Sequence, residues 1–166
     1  MAEDLSGFSM LELFRLEAES QTAVLSAGIL AIEELDRSPE TVADMMRAAH
    51  SLKGAARIVG LDAAVTVAHA LEDVFVATGQ GRLRVRQDHA DLLLSAVDFL
   101  ATIGRADDAT TPDGPWQATA DEIAARLAAL TSGRRGAGRP APRRSTDDDD
   151  TVVPPPHEPP SSERRS

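Results

Sequence analysis

The sequence predicts an all-α protein: an antiparallel up-down four-helix bundle with an additional fifth C-terminal helix, followed by a disordered tail. Three observations carry this. Between about residue 9 and residue 131, apolar residues recur at helical spacing in five separate segments. No run in that stretch shows the alternation of a strand, and no internal repeat is visible. Beyond residue 132 the composition changes to GRRGAGRPAPRRSTDDDDTVVPPPHEPPSSERRS, which holds almost no large apolar side chain and cannot build a core.

The first segment opens at Ser9-Met10-Leu11-Glu12, the spacing of a reciprocal capping box. Its apolar stripe reads Leu13, Phe14, Leu16, Ala18, Val24, Leu25, Ile29 and Ile32, and it is expected to run to about Leu35. Ser38-Pro39 starts the second segment as a cap residue followed by proline in the first turn. It buries Val42, Met45, Met46, Ala49, Leu52, Ala56 and Val59, and Gly60 ends it as a left-handed C-terminal glycine. Asp62 is expected to cap the third segment, whose inner row is Val65, Ala68, Leu71 and Phe75 before Gly79-Gln80-Gly81. Asp88 is expected to cap the fourth, with Leu92, Leu93, Val97, Leu100 and Ile103 inward and Gly104 closing it. After the turn Pro112-Asp113-Gly114-Pro115, a weaker fifth segment carries Trp116, Ile123, Leu127 and Leu130. The short connections between segments two, three and four make them antiparallel neighbours.

The domain division follows: residues 1–132 form the helical bundle and residues 133–166 a Pro-, Arg- and Asp-rich linker or tail. A bundle of that length buries roughly two-thirds of the surface of its unfolded chain, enough to fold without staples. Cysteine is absent, which excludes disulfides, thiolate metal sites and a cysteine nucleophile and suits a reducing compartment. The net charge of −10 lies in the bundle, because the arginines and acids of the tail nearly balance. Such an acidic body argues against nucleic acid or an anionic membrane as partner. Met1-Ala2-Glu3-Asp4 lacks the basic start of a signal peptide, and no apolar run is long enough to span a bilayer; the expected location is the cytoplasm.

The chemistry concentrates in Ala48-Ala49-His50-Ser51-Leu52-Lys53-Gly54-Ala55-Ala56. His50, Lys53 and Gly54 stand at i, i+3 and i+4 and so share one helix face. Lys53 is the one lysine in a chain whose other cations are all arginine. An ammonium one turn from a histidine is the arrangement expected if that histidine carries a phosphoryl group, since the ammonium is a flexible point charge. Helical phase puts His50 beside the buried row, at the rim of the core with its tip toward water. Gly54, one turn along, costs about 1 kcal/mol in mid-helix relative to alanine, and its missing Cβ leaves room for a partner over the imidazole. The third segment presents His69 and Glu72 on one face. With that helix antiparallel to the second, Glu72 comes near His50, and a carboxylate accepting from one ring nitrogen leaves the other with a free lone pair. Arg47 and Arg57 flank His50 on the same side.

On these residues the chain resembles a known family. The segment AAHSLKGAARIVGLDAAVTVAHALEDVFVATGQGRL, with FRLEAESQTAVLSAGILAIEE before it, is similar to the histidine-phosphotransfer (HPt, P1) domain that opens CheA-type chemotaxis kinases and their hybrid relatives. The resemblance implies that His50 is phosphorylated on Nε2, that Glu72 holds Nδ1–H, and that Lys53 and His69 line the same site. It implies two partners, a histidine-kinase catalytic domain that uses Mg·ATP and an aspartate on a response-regulator receiver domain. The isolated domain is expected to be monomeric, with no cofactor of its own, no nucleic acid and no membrane. Two departures concern packing: Ala55 replaces a second glycine, and Leu61 replaces an aromatic. The glycine-rich ATP lid and the asparagine-bearing helix of a kinase catalytic domain are missing, so the chain by itself is expected to be a carrier and substrate.

Two other functions fit weaker signals. His50, His69 and Glu72 suggest a metal-binding bundle, but bundle metal sites use Glu-x-x-His pairs from two helices and Lys53 repels a divalent cation. A helical interaction module without chemistry is the remaining alternative.

Overall fold

The computed structural model describes residues 8–33, 38–106 and 116–133. It contains five helices: α1 (Met10–Glu33), α2 (Pro39–Val59), α3 (Asp62–Gly79), α4 (Gln87–Arg105) and α5 (Trp116–Ser132). The expected extension of the first helix to Leu35, the turn at Pro112–Pro115 and the tail from residue 134 lie outside the described residues.

Three of the expected boundaries form as the local chemistry dictates. Ser9 N–H donates to Glu12 Oε2 at 2.7 Å while Glu12 N–H donates to Ser9 Oγ at 3.2 Å, the two halves of the capping box. Ser38 Oγ accepts from Thr41 N–H at 3.2 Å, with Pro39 in the first helical position where its missing N–H costs nothing. Gly60 takes φ +73°, and the amides of Gly60 and Leu61 turn back to the carbonyls of Arg57 and Ala56. Leu61 is buried, supplying the apolar contact that accompanies this left-handed ending.

Other expectations require correction. Asp62 does not cap α3: Leu61 holds that place because it also completes the ending of α2, and Asp62 becomes the first helical residue, where its charge still suits the helix dipole. Asp88 does not cap α4 either. That helix begins at Gln87, the Arg86 guanidinium engages Asp88 at 2.6 and 3.1 Å, and the Arg86 N–H faces His89 Nδ1 at 3.4 Å. Gly104 lies inside α4 rather than beyond it, and a Cβ there would stand 2.9 Å from the Ala18 Cβ; it permits α1 and α4 to approach closely. Leu16 and Val24 are exposed, whereas Thr22 is buried with its hydroxyl on the Ala18 carbonyl at 2.6 Å.

α1 packs between α2 and α4, and α2 packs between α1 and α3. α3 meets three neighbours, α2, α4 and α5, with α5 covering more of it than α4 does. Its buried set is accordingly wider than a single stripe: Ala64, Val67, Ala68, Leu71, Val74, Phe75 and Ala77, while Val65 is only partly covered. α5 closes the corner with Ala120, Ile123 and Leu127, and Trp116 sets its ring edge-on to Phe99 at a centroid distance of 6.0 Å. Arg15 ties α1 to the end of α4 by donating to the Ala106 carbonyl at 3.1 Å. Met45 and Leu52 are fully buried on α2, so the row one step around the helix, which carries His50, is held at the bundle surface.

Candidate functional site

Antiparallel packing of α2 on α3 brings the midpoints of the two helices together. His50 Nδ1 lies 2.7 Å from Glu72 Oε1, and the Lys53 ammonium donates to the other oxygen, Oε2. The His50 side chain is 69% exposed, while Glu72 and Lys53 are only 16% and 18% exposed. A shielded ion pair therefore anchors an imidazole whose far edge faces solvent.

The protonation state follows from the donors. Burial by itself raises the Glu72 carboxyl, but hydrogen bonds from Lys53 and His50 outweigh it and hold the group below its usual range. Glu72 is thus a carboxylate at neutral pH and accepts only, so Nδ1 of a neutral His50 carries the proton. The Nε2 lone pair is left free and points away from the pair.

The structure separates residues that the sequence places together. His50, Lys53 and Glu72 converge. Gly54 is exposed one turn beyond His50, and a Cβ there would meet nothing within 4 Å. His69 lies on the same face of α3, one turn before Glu72, but it is exposed and its Nε2 faces Asp73 at 3.7 Å. Arg47 is engaged by Asp44. Among the described residues, no group of three or more histidine, cysteine or acidic side chains is placed to hold a metal ion. No described helix is long and apolar enough to cross a membrane.

Sequence reasoning missed a second polar contact beside His50. The Ser51 hydroxyl donates to Glu17 Oε1 on α1, and Gln21 Nε2 reaches the same oxygen at 3.0 Å. Its only signal was a serine next to the histidine, on the flank of α2 that turns toward α1; nothing in spacing alone tied Glu17 to it.

A model of the Hpt domain matches residues 9–103, more than half of the chain and all of α1 to α3, with α4 nearly to its end. The chain belongs to the Hpt domain family. It is a phosphotransfer module, with α5 outside the matched region. Among curated proteins, this Hpt chain is 37% identical over 122 residues to the chemotaxis protein CheA of Rhizobium meliloti, covering 74% of the chain and 16% of that relative. It is 32% identical over 97 residues to CheA of Borreliella burgdorferi, covering 58% of the chain and 11% of the relative. A gliding motility regulatory protein of Myxococcus xanthus is 32% identical over 95 residues, with 57% of the chain and 12% of that protein covered. The chain spans about a sixth or less of these relatives. The fold matches the crystal structure of the phosphorylated P1 domain of CheA3 in complex with CheY6 from R. sphaeroides, with TM-score 0.62, 21% identity, and coverage of 73% of this chain and 97% of that one.

Proposed function

We propose that His50 of this Hpt domain accepts a phosphoryl group on Nε2 from a CheA-type kinase catalytic domain and passes it to an aspartate of a response-regulator receiver domain, in the cytoplasm. The observation that carries the reading is the exposed imidazole whose Nδ1 is held by the shielded Glu72 carboxylate. The likeness to a P1 domain solved with CheY6 supports a receiver as the acceptor.

In the forward step the Nε2 lone pair attacks the donor phosphorus, the N–P bond forms, and the bond from phosphorus to the donor's leaving oxygen breaks. Positive charge develops on the imidazole as Nδ1 keeps its proton, and Glu72 stabilises it in place. Onward transfer reverses the electron flow: the N–P bond breaks as the acceptor carboxylate takes the phosphoryl group, and the imidazole returns to its neutral tautomer. Lys53 acts on this through Glu72, and its charge also offsets that of the incoming phosphoryl group. His69, one turn before Glu72 with its ring toward Asp73, stands outside this trio and takes no direct part in the step. Mg·ATP belongs to the kinase partner.

A CheA-type kinase core with labelled ATP is expected to label the chain with an acid-labile, base-stable adduct that His50→Gln abolishes. Label remaining in His50→Gln would assign the acceptor to another residue.

A further inference from the structure

A phosphoryl group on His50 brings about two negative charges to a face that already presents Glu72, Asp73 and, through Ser51, Glu17. A cation within hydrogen-bonding reach offsets that charge. α3 contains no lysine or arginine, and α1 contains only Arg15, which is engaged with the end of α4. Among the described residues of α1, α2 and α3, the helices that form or border the site, the remaining cations are the three of α2: Arg47, Lys53 and Arg57. Arg47 is paired with Asp44, and Lys53 donates to Glu72. The exposed Arg57 guanidinium is in neither pair, and no described side chain engages it.

Its position suits the task. Seven residues after His50 is nearly two full turns, so Arg57 stands within about 20° of the same helix face, roughly 10 Å along the axis. Long helical side chains lean toward the N-terminus, which here is toward His50. Between the two stands Gly54, over which there is open space. A side chain at that position would occupy the lane that a guanidinium must cross to reach the imidazole.

We infer that Arg57 is the phosphate-binding cation of this site, folding back over Gly54 to grip the oxygens of the phosphoryl group on His50 Nε2. The inference rests on the reading of His50 as phosphoacceptor. A guanidinium fork matches two phosphoryl oxygens at once, which the ammonium of Lys53, held by Glu72, does not. Gly54 then serves two purposes, admitting the partner and clearing the path of Arg57.

The test uses the full chain phosphorylated by a CheA-type kinase core with ATP, comparing wild type, Arg57→Ala, Arg57→Lys and Arg47→Ala. Two quantities are measured: the rate of His50 phosphorylation, and the ³¹P chemical shift of the phosphohistidine as a function of pH. Loss of a charge-assisted contact to the phosphoryl group is expected to slow labelling of Arg57→Ala roughly 10-fold or more. The ³¹P titration midpoint of that variant moves up, because a nearby guanidinium favours the dianion. Arg57→Lys restores part of both, and Arg47→Ala behaves as wild type. An unmoved ³¹P titration in Arg57→Ala overturns the inference even if labelling slows, since Arg57 would then contact the kinase and not the phosphoryl group. A wild-type chain that takes no label on His50 would instead overturn the phosphoacceptor reading.

Discussion

On the proposed reading of His50, Glu72 is the residue on which the site's chemistry depends. Its carboxylate fixes the His50 tautomer and shares Lys53, so removing it acts on reactivity more than on folding. Glu72→Ala is expected to slow phosphorylation on the order of 10- to 1000-fold with helicity retained; stopped-flow or filter-based labelling with circular dichroism checks both. The same group gives a stability signature. Because its folded-state pKa lies below the unfolded value, its contribution is fully present above the ordinary glutamate range and is lost as pH falls through the folded value. The stability difference between wild type and Glu72→Gln, about 1 kcal/mol at neutral pH, is therefore expected to shrink as the solution is acidified below the ordinary glutamate range. A difference that grew on acidification would mean that the pair does not stabilise the ionised form. Denaturant unfolding at a series of pH values measures it.

At the scale of the helices, two glycines with the same propensity cost have opposite reasons to exist. Gly54 has open space around its missing side chain, so Gly54→Ala is expected to stabilise α2 by about 1 kcal/mol. Gly104 faces the Ala18 Cβ at 2.9 Å across the α1–α4 contact, and neither backbone can yield without separating the helices. Gly104→Ala is expected to destabilise the fold by about 1–3 kcal/mol despite the better helix former. Thermal unfolding of the two variants side by side reads the sign directly. If both were stabilised, the close approach of α1 and α4 would not be required. Sequence periodicity located both glycines in helical segments and read the second as a terminator, because a glycine near the end of an apolar row looks the same whether it stops a helix or admits a neighbour.

For the whole molecule, the division of labour between bundle and tail is testable. The segment 134–166 has too few apolar residues to bury surface against the bundle. Its deletion is expected to leave the melting midpoint and the labelling of His50 by an added kinase core unchanged. The chain also has no glycine-rich phosphate loop of the kind that cradles a nucleotide. Rigorously purified protein with Mg·ATP alone is expected to stay unlabelled, and to gain label once a kinase core is added. Stoichiometric labelling without the kinase would require a nucleotide site in the bundle.

The sequence by itself determined the five helices, the glycine ending of α2, the capping box at Ser9 and the exposure of His50, because each depends on spacing or turn chemistry within a few residues. It also placed Glu72 opposite His50, since a short connection forces α3 to run back along α2. Tertiary structure alone decided which partner each charge takes. Lys53 and Arg57 are alike in a helical wheel, yet only Lys53 is drawn onto a shielded carboxylate of the neighbouring helix. The Glu17–Ser51 contact joins residues 34 positions apart, and no local pattern predicts it. Caps at α3 and α4 fell to Leu61 and Arg86 for a related reason: a connection packed against the core places its residues by burial first, and the capping preference of Asp62 or Asp88 acts only on what burial leaves free.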